Sequence, residues 1–193
     1  MRTVRLSINV SLDGCVDHRS ASPNEASHRH AAAAIADADA LILGRVTYQL
    51  MEAGWRDPSP ELPGWTRPFA EAISAQPKYV ASRTLTTLDW NSEVIAGDAV
   101  EFVRALKRQE GGALFIGGHD FAGQLAAAGL IDEYEFVVHP QVPGYGPRLF
   151  DGLPAPLLLT QVGELDLGDG IVARRYVPRA RRPAVRTRAT RRR

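Results

Sequence analysis

Cysteine is almost absent from this sequence, since Cys15 is the single one among 193 residues. A lone cysteine excludes a disulfide framework and is typical of a protein that works in the reducing cytoplasm. Long hydrophobic runs are also absent, because no apolar stretch reaches the roughly twenty residues that a membrane-spanning helix needs. Residues 1–10 mix charged and apolar side chains and predict a strand rather than a signal peptide. We therefore expect a cytoplasmic protein without a membrane segment.

Charge is distributed unevenly, although the formal net charge is only +1. Residues 178–193 hold eight arginines and no acid, which leaves a net charge of −7 on residues 1–177. We expect one domain over residues 1–177, followed by a disordered arginine-rich tail over residues 178–193. In an alternative interpretation the tail binds a polyanion, so that nucleic acid is a partner through the tail alone.

Apolar patterning predicts strands alternating with helices over about three quarters of the chain. Two last strands, residues 157–166 and 171–177, are expected to form a hairpin that turns at residues 168–170. This order predicts an α/β protein with a mixed, mostly parallel central sheet, helices on both faces and a C-terminal antiparallel hairpin.

The GxGxxG fingerprint of the Rossmann fold is missing, but another glycine turn stands late in the chain. A predicted strand, residues 113–116, stops at Gly117-Gly118, and a helix is expected to start near Asp120. The glycines allow the backbone to approach a ligand, and the helix N-terminus attracts an anion. We interpret Asp120 as the helix N-cap, tied to backbone N–H groups.

Two further predicted strands end in similar residues. One stops at Gly44-Arg45, with Thr47 opening a helix, and another stops at Ser82-Arg83-Thr84. Ligands of open α/β sheets bind beyond the carboxyl ends of the strands, and arginine with hydroxyl groups suits phosphate oxygens. Several such ends on one sheet edge indicate a large phosphorylated ligand such as a dinucleotide.

These motifs, in this order and spacing, resemble a known family. The segments LILGRVTYQ, VASRTL and LFIGGHDFAGQL resemble the dihydrofolate reductase fold, and SINVSLDG and LIDEYEFVVHPQVPGYGPRLF resemble its RibD C-terminal branch. The similarity covers residues 3–177. It implies a three-layer dihydrofolate reductase-like fold, NADPH as hydride donor and a homodimer, for which the segment 135–139 is a candidate contact.

The resemblance also implies cofactor residues, carried over by position. The turn of residues 13–17 would border the nicotinamide. The phosphates, the adenosine and the riboses would lie against three groups of residues: Gly44, Arg45 and Thr47; Ser82, Arg83 and Thr84; and Ile116, Gly117, Gly118, His119, Asp120 and Phe121.

The proton donor is harder to place. Dihydrofolate reductases carry a carboxylate on the first helix, where this chain has Glu25, with His28 three positions later. Glu25, His28 and Asp13 are the candidate catalytic residues, because a histidine near neutral pKa can protonate a substrate. In the alternative interpretation Glu25 and His28 face solvent, and Asp13 only forms a turn. Glu25, His28 and His30 lack the further ligands of a zinc site.

The sequence thus predicts an NADPH-dependent oxidoreductase that passes hydride to a C=N or C=O bond of a small heterocyclic or sugar-linked substrate. One alternative is the reductase of riboflavin biosynthesis that acts on a ribosylaminopyrimidine, although no deaminase segment accompanies it here. Another is a non-catalytic nucleotide- or nucleic-acid-binding protein. The loop tryptophans, Trp55 and Trp65, either cover a planar substrate or belong to the core.

Overall fold

The computed structural model describes residues 1–179. Residues 180–193 lie outside the described part, and with them most of the predicted tail and the alternative in which the tail binds nucleic acid. Pro178 closes the last strand, and the Arg179 N–H donates to the Leu158 carbonyl at 2.8 Å. The sheet therefore extends into the segment that was predicted as tail. Within residues 1–179, no helix is long and apolar enough to cross a membrane.

Eight strands and five α-helices make up the described chain. The strands are β1 (Val4–Ser11), β2 (Ala38–Gly44), β3 (Lys78–Ala81), β4 (Ser92–Val94), β5 (Ala113–Gly117), β6 (Glu133–His139), β7 (Leu159–Asp166) and β8 (Val172–Pro178). The helices are α1 (Glu25–Ala36), α2 (Arg45–Trp55), α3 (Arg67–Ala75), α4 (Ala99–Lys107) and α5 (His119–Ala127), with short 3-10 helices at His18–Ser20 and Gly64–Thr66.

The strands form a single sheet in the order β4-β3-β2-β5-β1-β6-β8-β7. The first six strands of the chain are parallel, while β8 pairs antiparallel with β6 and β7 pairs antiparallel with β8. The predicted fold class, with its closing hairpin, is confirmed. β6 lies inside the sheet with both edges paired, so the candidate dimer contact at residues 135–139 offers no free strand edge.

Hydrophobic clusters cover both faces of the sheet. On one face, Val4 and Leu6 of β1 pack with residues of α4 and α5 such as Val103 and Leu125. On the other face, β2 and β3 pack against α1, α2 and α3. Each fully buried leucine or valine contributes about 2 kcal/mol, so the two clusters hold the carboxyl ends of the strands in fixed positions.

Asn24, in the loop before α1, caps this helix. The Asn24 side chain accepts from the Ser27 N–H at 2.9 Å, and the Ser27 hydroxyl lies 3.0 Å from the Asn24 N–H. This reciprocal capping box fixes the start of α1 at Glu25.

Candidate functional site

Three neighbouring strands end at nearly the same level. Leu43 of β2 pairs with Gly117 of β5, and Gly44 pairs with Ala81 of β3. The strands are parallel, so their carboxyl ends share one edge of the sheet. The structure therefore brings together the three predicted phosphate-binding motifs.

Two helices begin at this edge with glycine caps. Gly44 is the N-cap of α2 and Gly118 is the N-cap of α5, and neither cap offers a side chain to the first turn. The first N–H groups of a helix lack intrahelical partners and carry the positive end of the helix dipole. Two such helix starts on adjacent strands form a surface that favours an anion with more than one phosphate group.

The two glycine turns are locked together. Gly118 has φ +95°, and a Cβ atom there would collide with Thr47 Oγ1 and lie 3.2 Å from Thr47 Cβ. A Cβ at Gly117 would lie 2.7 Å from Leu43 Cδ2. Glycine is therefore required at Gly118 by its backbone conformation and by the close approach of Thr47, whereas a Cβ at Gly117 would have to displace the end of the Leu43 side chain.

The turn after β3 is stabilised by the Ser82 hydroxyl and carries the exposed Arg83. The Ser82 hydroxyl oxygen accepts from the Thr84 N–H at 3.2 Å and from the Leu85 N–H at 2.9 Å. Arg83 is exposed, and its side chain makes no hydrogen bond within residues 1–179. Arg45 is exposed too and donates to the Gln49 side chain at 2.9 Å. Both guanidinium groups are available to phosphate oxygens.

The start of α5 differs from the sequence prediction. Asp120 is not the N-cap, because Gly118 takes that position; the Asp120 carboxylate is 86% exposed and lies 3.0 Å from His119 Nε2. The side chains of Ile116 and Phe121 are buried in the core. Only the backbone of these two residues is able to meet a ligand at this edge.

The residues present fit a dinucleotide. The two glycine turns form a cradle that a side chain would fill, and Arg45 and Arg83 supply positive charge beside it. The Asp120 carboxylate makes no helix-capping bond and lies exposed beside His119 Nε2. The donor set is thus backbone N–H, hydroxyl and guanidinium, which is the set that binds phosphate.

Asp13 holds two loops together. Its carboxylate accepts from the Ser11 hydroxyl and, at 3.1 Å, from the Gly144 N–H, while its carbonyl accepts from Arg148. The Ser11 hydrogen bond is the largest influence on the carboxyl group and lowers the pKa of Asp13. An ionised, fully engaged carboxylate is suited to fixing the turn after β1 and is poorly suited to donating a proton.

The two candidate catalytic residues of α1, Glu25 and His28, have different surroundings in the structure. Glu25 is 56% exposed and bonds Arg29 at 2.5 Å, one turn along the helix. His28 turns inward, with its ring centroid 4.9 Å from that of Trp65 and 5.5 Å from that of Trp55. Burial lowers the pKa of His28, so the ring is neutral at pH 7. Both tryptophans thus contact the His28 ring, and Glu25 makes its ion pair with Arg29 instead of a hydrogen bond with His28.

Sequence reasoning missed a second polar group on α1. His30 Nε2 lies 3.0 Å from Glu135 Oε1, which also accepts from the Ser7 hydroxyl at 2.8 Å. The hydrogen bond with Glu135 raises the pKa of His30. Burial acts to raise the pKa of Glu135, but hydrogen bonds from His30 and Ser7 outweigh it and the net pKa is lowered. In the sequence, the only sign of this pair is Glu135, a charged residue next to the apolar residues of β6.

A cavity of about 370 Å³ lies on the outer side of α5, against the loop of residues 147–153. Phe150 and Leu153 line it together with two acids, Asp120 and Asp151. His119 and Arg148 line it as well, so its lining carries both signs of charge, and neither Gly44 nor Gly118 is among its lining residues. Among residues 1–179, no cluster of three or more His, Cys, Asp or Glu is placed to hold a metal ion.

The sheet order and the glycine-lined edge define an α/β protein of the dihydrofolate reductase-like class. The RibD C-terminal domain model matches residues 2–173, and the chain belongs to this family. The sequence is 28% identical to the uncharacterized protein YyaP of Bacillus subtilis (strain 168) over 135 residues, which cover 69% of this chain and 71% of that protein.

Solved structures share the fold. A putative riboflavin biosynthesis protein from Shewanella sp. PV-4 superposes with a TM-score of 0.71 at 20% identity, covering 92% of this chain and 99% of that one. RibD of Acinetobacter baumannii gives 0.65 at 16% identity, with 93% of this chain and 58% of that chain covered. A pyrimidine reductase-like protein from Corynebacterium diphtheriae gives 0.65 at 13% identity, with 93% and 92% covered.

Proposed function

We propose that this protein is an NADPH-dependent oxidoreductase that reduces a C=N or C=O bond of a small heterocyclic substrate. The observation that carries the proposal is the strand register, which sets Gly44 opposite Ala81 and the preceding Leu43 opposite Gly117, so that two glycine-capped helices start at adjacent strand ends. Membership of the RibD C-terminal domain family supports reductase chemistry.

The chain's own residues bind and orient the reactants. The N–H groups after Gly44 and Gly118 bind the diphosphate, and Arg83 with the Ser82 turn binds the 2′-phosphate that distinguishes NADPH from NADH. NADPH, when bound, supplies the hydride. The glycine cradle brings the cofactor close to the backbone and fixes its distance from the substrate, which is the main protein contribution to hydride transfer.

A screen of NADPH consumption tests the proposal. Dihydrofolate, a ribosylaminopyrimidine and a set of small carbonyl compounds are offered as second substrates, and loss of NADPH absorbance is followed. We expect consumption that depends on one of them, is abolished by Gly118→Ala and persists in Gly123→Ala. Cofactor binding without consumption for every compound would contradict the catalytic part of the proposal and leave the binding site standing.

A defined substrate is the second candidate. Two of the similar structures carry names from riboflavin biosynthesis or pyrimidine reduction, which favours a ribosylaminopyrimidine. Turnover of this compound at a rate well above that of dihydrofolate would support this function. The reverse preference would exclude it.

A further inference from the structure

Asn9 occupies an unusual position in the sheet. It lies on β1, which is flanked by β5 and β6, yet its side chain is exposed. The last β1 residue paired with β5 is Leu6, opposite Ile116, and β1 then continues to Ser11 with only β6 as a partner strand. Asn9 therefore lies just beyond the point where β5 turns into Gly117-Gly118, on a part of the sheet that the helices leave uncovered.

Asn9 faces the same side of the sheet as the polar group under α1. Side chains two residues apart on a strand share a face, so Ser7, Asn9 and Ser11 point together toward the α1 side. Ser7 donates to Glu135, and Ser11 donates to Asp13. The Asn9 amide nitrogen, in contrast, makes no hydrogen bond within residues 1–179.

A buried histidine fixes the orientation of the Asn9 amide. His139 on β6 is 1% exposed, and its Nε2 lies 3.0 Å from Asn9 Oδ1. Burial lowers the pKa of His139, so its ring is neutral and carries a single N–H. With this N–H on Nε2, the Asn9 oxygen accepts and the buried Nδ1 is an acceptor without a donor.

The opposite arrangement costs more. If the Asn9 amide nitrogen donated to Nε2, the ring hydrogen would move to Nδ1, which has no partner among the described residues. A buried N–H without an acceptor is rarer and less favourable than a buried acceptor without a donor. The Asn9 amide nitrogen is therefore held toward the uncovered part of the sheet with two free N–H groups.

We propose that Asn9 determines substrate specificity by donating to a carbonyl oxygen of the heterocycle that receives the hydride, so that the site selects oxo-substituted over amino-substituted rings. This inference rests on the reductase function proposed above. A ring with an amino group at the same position would set donor against donor. His139 is the positioning residue, since it determines which end of the amide faces the substrate.

A matched pair of ring compounds tests the assignment. Diaminouracil and tetraaminopyrimidine share the pyrimidine skeleton; the two C=O groups of the first are amino groups in the second, and its ring N–H groups become ring nitrogens without hydrogen. Their affinities are measured in the presence of NADPH by following amide signals in the NMR spectrum of the ¹⁵N-labelled protein. We expect the Asn9 side-chain amide to move with diaminouracil, which binds about tenfold tighter than tetraaminopyrimidine, the scale of one or two neutral hydrogen bonds.

Variants of Asn9 make the test specific. Asn9→Asp replaces the donor by an acceptor while His139 still has a partner, so the preference is expected to reverse. Asn9→Ala removes the donor for diaminouracil and the donor–donor contact with tetraaminopyrimidine, so the about tenfold preference between the two rings should disappear. Gln109→Glu makes the same amide-to-carboxylate change after α4 and is the control that should keep the original preference. The dispersed amide spectrum of each variant verifies its fold.

Equal affinity for both rings, binding of neither ring, or an unchanged preference in Asn9→Asp would each overturn the assignment. So would an Nδ1–H tautomer of His139 in the unmodified protein, read from the ¹⁵N shifts of its ring. The Gly117 and Gly118 signals report NADPH in the same spectra. Their movement without Asn9 selectivity rejects this inference alone, whereas their failure to move rejects the proposed function.

Discussion

Thr47 of α2 lies against Gly118 at the start of α5, so closely that a Cβ atom on the glycine would overlap the threonine hydroxyl. This contact joins the ends of β2 and β5 and places the first turns of two helices side by side. The proposed cofactor site depends on it, because both helix starts must face the same diphosphate.

Gly118→Ala tests this contact. The substitution places a Cβ against Thr47 in a backbone conformation of φ +95°. We expect the free energy of unfolding, measured in urea, to fall by about 1–3 kcal/mol, and NADPH binding to be lost. Gly123→Ala is the matched control, since nothing lies within 4 Å of its added Cβ. Alanine in this helix position should leave stability unchanged or raise it by up to about 1 kcal/mol. Equal effects of the two substitutions would contradict the close approach.

Arg83→Ala tests the recognition of NADPH over NADH. A charge-assisted hydrogen bond to the 2′-phosphate is lost, so the Kd for NADPH should rise about tenfold or more while the Kd for NADH stays the same. Arg108→Ala removes an exposed arginine at the C-terminal end of α4 and serves as the control. Parallel weakening of both cofactors in Arg83→Ala would remove the 2′-phosphate assignment.

Lys78 should make the free energy of unfolding depend on pH in the alkaline range. Its side chain is 1% exposed under Trp90, and burial lowers its pKa from 10.5 to about 8. Between these values the unfolded chain binds more protons at Lys78 than the folded chain does, so the free energy of unfolding rises with pH. The slope from this group is at most about 1.4 kcal/mol per pH unit. The difference between the wild type and Lys78→Met, followed by urea unfolding from pH 7 to 10, should show this rise; a flat difference would contradict the burial of a charged amine.

The His30–Glu135 pair predicts the opposite trend near neutral pH. The hydrogen bond raises the pKa of His30 from 6.5, so its stabilising contribution is complete below pH 6.5 and is lost as the pH rises through the folded value. His30→Gln should therefore lose stability relative to the wild type most strongly at low pH, with the gap closing toward pH 9. A gap that is constant with pH would show that His30 is not protonated against Glu135.

Local patterns were sufficient for the strand and helix order and for the glycine turns. The Gly117-Gly118 turn and the Ser82-Arg83 end each depend on a few adjacent residues, and parallel pairing then brings them to one edge. Asp120 was wrong as a helix cap because Gly118, with its positive φ, already closes the helix start. The sequence alone did not show that the helix is capped at Gly118 rather than at Asp120, two positions later.

Long-range pairs were beyond the sequence. Asn9 is fixed by His139, which is 130 positions away, and Asp13 is fixed by Gly144 on a loop that follows β6. In the sequence, Asn9 is one of the polar residues that alternate with apolar ones along β1, as expected for a solvent-facing position. Only the pairing of the strands shows that Asn9 lies beside the end of β5, where its side chain is exposed. Contacts of this kind depend on tertiary packing and leave no local periodicity.

The most direct measurement of the central claim is a titration of the full chain with NADPH and NADH, with amide chemical shifts as the readout. Saturable NADPH binding, tighter than NADH binding, with the largest shifts at Thr47, Gly117 and Gly118, is the predicted result. No saturable NADPH binding, or shifts confined to residues away from this sheet edge, would contradict the account.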